Sequence, residues 1–188
     1  MSQPQTSDSP TGLALLCVDV QPVFLKVIAD HENLERRCAF AIQAAIGLGI
    51  PVAFTEQVPD KLGGTSTALK ALAPDAPAFP KTSFSALGDA AVRDWIASHE
   101  FEHLLLCGIE TPVCVYQTAL DALNANLQVT LLSDCIGARR NADASTCLDA
   151  LIRSGIHVLP AETVFYSLLR NVSHPFFKAY TQLVKNYA

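Results

Sequence analysis

A cysteine becomes a nucleophile when its surroundings stabilise a thiolate and a neighbouring group takes its proton. Of the six cysteines in this 188-residue chain, Cys114 has the spacing for the first condition. It follows an apolar run, Leu104–Cys107, that reads as a buried strand broken by Gly108. Thr111-Pro112 then reads as a helix start, with Thr111 as N-cap and Pro112 at the first helical position, where a missing N–H costs nothing. Cys114 becomes the third helical residue. First-turn N–H groups lack intrahelical acceptors, and the helix dipole is positive there. The spacing therefore predicts a depressed thiol pKa and a reactive sulfur.

Two partners come from elsewhere in the chain. Asp19 ends the apolar run Leu13–Val18, and Lys81 lies in a short extended stretch, Phe79–Thr82. Asp19 can accept the thiol proton. Lys81 can stabilise the ion pair and hold Asp19, and the N–H groups around Glu110–Cys114 can hold an oxyanion. The histidines, at 31, 99, 103, 157 and 174, fall at the wrong edge of a strand, within one or near the tail, so the carboxylate is the better base. Taken singly, each of these residues more often caps a helix, faces solvent or fills a core. What makes a site is that Asp19, Glu56, Lys81, Cys114 and Asp134 all fall at or just past strand ends, where open α/β sheets bind ligands.

The elements that must position them alternate. Strands are expected at Leu13–Val18, Pro51–Thr55, Phe79–Thr82, Leu104–Cys107, Gln128–Leu132 and Ile156–Leu159. Helices are expected at Asn33–Leu48, Thr67–Ala73, Asp89–Ser98, Thr111 to about Asn126, Asn141–Arg153, Glu162–Arg170 and Pro175–Tyr187. Val58–Thr65 reads as a loop, with Gln57–Thr65 placed to cover a site. Unalternated apolar strands separated by helices mean a doubly wound α/β domain with a parallel sheet. The last helix carries Phe176, Phe177, Tyr180, Leu183, Val184 and Tyr187 at helical spacing, a core-facing or subunit-facing stripe.

Composition narrows the function. Half the residues are apolar, 16% are charged and the net charge is −5. No basic cluster exceeds a pair, Arg36-Arg37 or Arg139-Arg140, so nucleic acid is a poor partner. No apolar run reaches the roughly 18 residues of a spanning helix. Residues 1–11 are polar and read as a disordered leader rather than a secretory signal, with a single domain over 12–188. A cytoplasmic location and reduced thiols follow as expectations, with Cys17, Cys38, Cys107 and Cys147 as packing residues. Apolar composition predicts self-association into a homo-oligomer. Neither a dinucleotide glycine fingerprint nor a phosphate loop is present, and the cysteine spacings match no zinc site.

Four stretches in order carry a resemblance: Asp19-Val20-Gln21, Thr55-Glu56-Gln57, Lys81-Thr82-Ser83-Phe84 and Gly108-Ile109-Glu110-Thr111-Pro112-Val113-Cys114. Together they resemble the isochorismatase-like cysteine hydrolases over about residues 13–170, nearest the branch of isochorismatase-domain proteins. The resemblance implies a three-layer sandwich whose six-stranded parallel sheet has the order 3-2-1-4-5-6. It implies an Asp19, Lys81, Cys114 triad and a non-proline cis peptide at Ile109–Glu110. That bond would bring the Glu110 N–H beside that of Cys114 as an oxyanion hole. Gln21, Gln57 and Phe84 are the expected pocket wall. The metal-binding histidines of the nicotinamidases are missing from Glu56–Gly64, and true isochorismatases lack the cysteine. The implied activity is hydrolysis of a small amide or carbamoyl compound through a thioester, with no metal and no cofactor. Two alternatives remain: a non-catalytic binding protein that presents the Phe176–Tyr187 face, and a redox-sensing thiol with Cys107 or Cys135 as resolving partner.

Overall fold

The computed structural model describes residues 10–187. The leader expected over 1–11 lies outside the described residues apart from Pro10 and Thr11. Six strands form one parallel sheet: β1 (Leu13–Val18), β2 (Val52–Gln57), β3 (Ala78–Lys81), β4 (His103–Ile109), β5 (Gln128–Gly137) and β6 (His157–Leu159). Their order is β3-β2-β1-β4-β5-β6, as the resemblance implies. The order reverses between β1 and β4, so a crevice opens beyond the carboxyl ends of that pair.

Both central strands are buried on both faces, and their side chains divide by the two-residue period. Leu13, Leu15 and Cys17 of β1 join Leu105, Cys107 and Ile109 of β4 on one face. Ala14, Leu16 and Val18 join Leu104 and Leu106 on the other. The first face is covered by α2 (His31–Gly47), α4 (Thr67–Leu72), α8 (Ala161–Leu169) and α9 (Phe177–Tyr187). The second is covered by α5 (Ala90–Ser98), α6 (Tyr116–Asn124) and α7 (Asn141–Arg153). Two single-turn helices, α1 (Pro22–Leu25) and α3 (Pro59–Leu62), follow β1 and β2. The segment expected as plain loop over Val58–Thr65 therefore holds a helical turn.

Three differences from the sequence expectation bear on the site. First, α2 begins at His31, after Asp30 in the left-handed region, rather than at an Asn33 cap. Second, β5 runs five residues beyond Leu132. Its register against β4 shifts between Leu106 and Gly108, and Gly108 and Ile109 then pair with Ile136 and Gly137. A bulge lets the ladder resume, so the true tip of β5 lies at Gly137. Third, the aromatic stripe of α9 faces inward. Tyr180 is fully buried, its ring 5.9 Å from that of Phe40, and Phe176 lies against Gly47 where no Cβ would fit. The Phe176–Tyr187 face is thus part of the core rather than a free docking surface.

Candidate active site

Asp19, the residue after β1, has φ of 51°. Its N–H donates to the Thr55 carbonyl at 3.1 Å, and the Thr55 hydroxyl donates to its Oδ1 at 2.7 Å. Two residues further along β2, on the same face, Gln57 reaches the next group. Its Oε1 accepts from Lys81 Nζ at 2.6 Å. Lys81, from edge strand β3, extends across β2 to place Nζ 2.7 Å from Asp19 Oδ2. The contact is an ion pair rather than an aligned hydrogen bond, since Oδ2 has no hydrogen-bond partner. Both side chains are all but fully buried, at 0% and 2% exposure. Nζ also donates to the Ser83 and Phe84 carbonyls, each at 3.1 Å, and lies 3.8 Å from Cys114 Sγ. A buried cation needs this density of acceptors, because unpaired it would cost several kcal/mol.

Cys114 arrives from β4 by an unusual route. Gly108 has φ of 114°, and a Cβ there would lie 2.1 Å from the Val18 carbonyl oxygen. The Ile109–Glu110 peptide is cis, as the resemblance implies. Thr111–Val115 then forms a wide π-helical turn before α6. The Val115 N–H bonds back five residues to Glu110 O at 3.2 Å, and the Val113 N–H reaches the same oxygen at 3.0 Å. Thr111 is not the N-cap expected from its sequence. Its hydroxyl donates to the Gly137 carbonyl at 3.1 Å, tying the turn to the tip of β5. Cys114 is the fourth residue of this turn and 8% exposed.

The thiol differs from the expectation in its charge state. Burial and the neighbouring Asp19 carboxylate push its pKa up to about 12, against the opposing pull of Lys81. The ammonium is shared: it is closer to Asp19, at 2.7 Å, than to the sulfur, at 3.8 Å. The sulfur of the free protein is therefore a protonated thiol beside a carboxylate, not a standing thiolate.

Cys114 and Asp19 open onto a cleft of about 190 Å³. Of the three residues expected in the pocket wall, Gln57 and Phe84 line this cleft and Gln21 does not. The Gln21 amide is fully buried, with Oε1 accepting from the Gln57 N–H at 2.7 Å and Nε2 donating to the Gln57 and Gly63 carbonyls at 3.1 and 2.5 Å. It binds the 57–63 loop to β1. Glu56 and Asp134 also point away: Glu56 accepts from the Thr65 N–H at 2.7 Å, and Asp134 pairs with Arg37 of α2 at 2.6 Å. Sequence reasoning missed Phe24, Ile109, Val113 and Arg139, which complete the lining. The signal for Arg139 was present: it stands two residues past the true end of β5, where strand-tip logic would have placed it had β5 not been ended at Leu132.

Cys107 and Cys135 belong to the core on the α2 side of the sheet, whereas Cys114 belongs to the opposite side. Neither is placed to form a disulfide with it. Among the described residues, no group of three or more His, Cys, Asp or Glu is arranged to hold a metal ion. No helix among them is long and apolar enough to cross a membrane.

A six-stranded parallel sheet in this order, with helices on both sides, is the fold of the isochorismatase-like hydrolases. Residues 13–163 match the isochorismatase domain, and the chain belongs to that family. It is 33% identical over 174 residues to isochorismatase domain-containing protein 2 of Xenopus laevis, covering 93% of this chain and 83% of that one. Among solved structures, the MAR1 ribonuclease of Caenorhabditis elegans superposes with a TM-score of 0.89 at 31% identity, covering 94% of this chain and 91% of that one. The YcaC gene product of Escherichia coli, an octameric hydrolase of unknown specificity, shares the fold with a TM-score of 0.82 at 20% identity, covering 99% and 98%.

Proposed function

We propose that the protein is a cysteine hydrolase that cleaves a small amide or carbamoyl compound through a thioester on Cys114. The observation that carries this reading is the buried Asp19–Lys81 pair beside a thiol at the floor of a small cleft. Since the thiol is protonated at rest, its proton leaves only as Sγ attacks the carbonyl, and Asp19 accepts it. The carbonyl oxygen becomes an anion held by the Glu110 and Cys114 N–H groups; loss of one such donor typically costs about 10²–10³ in rate. Asp19 then gives the proton to the leaving nitrogen, the C–N bond breaks and a thioester remains. Water attacks the thioester as Asp19 takes its proton, and that proton returns to the departing sulfur. The products are a carboxylic acid and an amine, or carbamate and amine from a carbamoyl compound. Lys81, 2.7 Å from Asp19 Oδ2, holds that carboxylate in place through both halves of the reaction. No step calls for a metal or cofactor.

A phosphodiester substrate, suggested by the name of the nematode neighbour, has less support. Lys81 spends its donors inside the protein, the chain is acidic, and the cleft over Cys114 has largely apolar walls. A homo-oligomer in the manner of YcaC fits the apolar composition. The reading is tested by incubating wild type and Cys114→Ser with a panel of small amides and carbamoyl compounds and with an RNA oligonucleotide. Ammonia release and a Cys114 acyl adduct by mass spectrometry, both lost in Cys114→Ser, are expected. Equal background rates for the two proteins on every amide, or RNA cleavage that survives the substitution, overturn it.

A further inference from the structure

Asp19 carries a buried oxygen with no proton bonded to it. Oδ1 accepts from the Thr55 hydroxyl at 2.7 Å, whereas Oδ2 has no hydrogen-bond partner although it is shut off from solvent. Lys81 Nζ lies only 2.7 Å away. Orphaned acceptors are rare in folded interiors, and one beside a cation calls for a physical cause.

The cause lies in where the ammonium directs its protons. It has three N–H donors. Three neutral oxygens meet them: Gln57 Oε1 at 2.6 Å, and the Ser83 and Phe84 carbonyls, each at 3.1 Å. Cys114 Sγ, at 3.8 Å, is the most distant of its contacts. The cation thus sets its charge beside Oδ2 with no proton aimed at that oxygen.

The two carbonyls belong to the turn that follows Lys81 and move with it. Gln57 stands on β2, between β3 and β1, and is fixed independently. Its Nε2 donates to the Thr82 carbonyl at 3.0 Å, so a flip of the amide would set an NH2 group against the ammonium. Its backbone N–H donates to Gln21 Oε1 at 2.7 Å, and its carbonyl accepts from Gln21 Nε2 at 3.1 Å. Gln21 follows Asp19 by two residues. Gln57 Oε1 is therefore held in a set position relative to Asp19.

We propose that Gln57 is a positioning residue for the reaction: by engaging a Lys81 N–H it leaves Asp19 Oδ2 open to take the proton of Cys114. As the bond from Sγ to the substrate carbonyl carbon forms, the S–H bond breaks and the proton passes to Oδ2. Without Gln57 Oε1, the freed N–H turns to Oδ2, the nearest acceptor that lacks a donor. That oxygen is then capped by a charge-assisted hydrogen bond, among the strongest kind in proteins, which must break before the oxygen can act. The proposal rests on the hydrolase reading above and adds a residue to it.

The test compares two variants. Gln57→Met keeps the length of the side chain and loses the oxygen acceptor. Gln57→Glu keeps an acceptor oxygen and loses the bond to Thr82. Kinetics use whichever small amide wild type turns over in the panel above. Gln57→Met is expected to lose at least about tenfold in kcat, part of the 10²–10⁴ that a general base supplies, with KM little changed. Gln57→Glu should recover most of that loss. A purely structural role would make the two variants alike, since both lose the Thr82 bond. Gln57→Leu replaces Gln57→Met if the latter does not fold. An unchanged kcat in Gln57→Met, or a Gln57→Glu no better than Gln57→Met, overturns the proposal and leaves the hydrolase reading standing. If wild type turns over no amide, the hydrolase reading falls, and crystal structures of wild type and Gln57→Met decide the placement. Nζ realigned to donate to Oδ2 in Gln57→Met upholds it; an unmoved Nζ, with Oδ2 still lacking a donor, overturns it.

Discussion

At the scale of single residues, the site works by competition for one cation. Lys81 lies between a carboxylate and a thiol and is nearer the carboxylate, so the sulfur keeps its proton with a pKa of about 12. The sign of each perturbation follows. Asp19→Asn removes a raising influence and leaves Lys81 to act on the sulfur alone. The thiol pKa should fall, and alkylation by iodoacetamide at pH 8 should quicken by at least about tenfold, one pKa unit or more. Turnover should drop by about 10²–10⁴, the usual contribution of a general base. Lys81→Met removes the lowering influence, so alkylation should slow as turnover falls. Alkylation rates across pH 7–11 check both: in wild type they should climb through the whole range without a plateau. A plateau near pH 8.5 in wild type, or slower alkylation in Asp19→Asn, would refute this account of the charge balance.

At the scale of elements, the position of Cys114 depends on a glycine. β4 passes so close to β1 at Gly108 that any side chain there would strike the Val18 backbone, and the φ of 114° excludes most other residues regardless of space. Gly108→Ala should therefore cost more than about 4 kcal/mol, in the range reserved for gross steric and backbone violations. Urea unfolding of the purified variant, or its failure to accumulate as folded protein, is the measure; a midpoint within error of wild type would show that β1 and β4 separate easily. This glycine also marks where the sequence ceases to be readable. Apolar runs report burial on both faces, which is why β1, β4 and the sheet class were legible from composition along the chain. Helix α7 was legible to the residue, because Asn141 and Gly155 bracket its pattern. The bulge that carries β5 on to Gly137 has no such signature: Ser133-Asp134 reads as a strand end, while the pairing that extends it is a tertiary event between β4 and β5. The π turn was hidden for the same reason, since Thr-Pro is a good helix start and only the Glu110 carbonyl's double acceptance widens it. Asp19, Lys81 and Cys114 were legible because strand tips of a parallel sheet share one rim. Arg139 was not, because the tip that presents it was placed five residues too early.

At the scale of the whole molecule, the sheet separates two populations of thiols. Cys17, Cys38 and Cys107 lie together on the α2 side, and Cys135 shares that core, its carbonyl accepting from the Cys38 thiol at 3.3 Å. All four are almost completely buried, and burial together with neighbouring groups pushes every one of their pKa values well up. Such thiols are inert while the core is closed. Cys114 stands on the far side of the sheet, at the cleft, and Cys147 is half-buried on α7. A redox-sensing pair would need a sulfur to cross the sheet to meet Cys114, which a close-packed interior forbids. Native labelling with a maleimide should therefore modify Cys147 first and Cys114 slowly, with the four α2-side cysteines reacting only after unfolding. Mild peroxide should leave no disulfide between Cys114 and either Cys107 or Cys135. Peptide mapping by mass spectrometry reads both results. Label on Cys17 or Cys38 in the native protein would mean that the α2 layer opens, and the rigid platform on which the site's geometry depends would be lost.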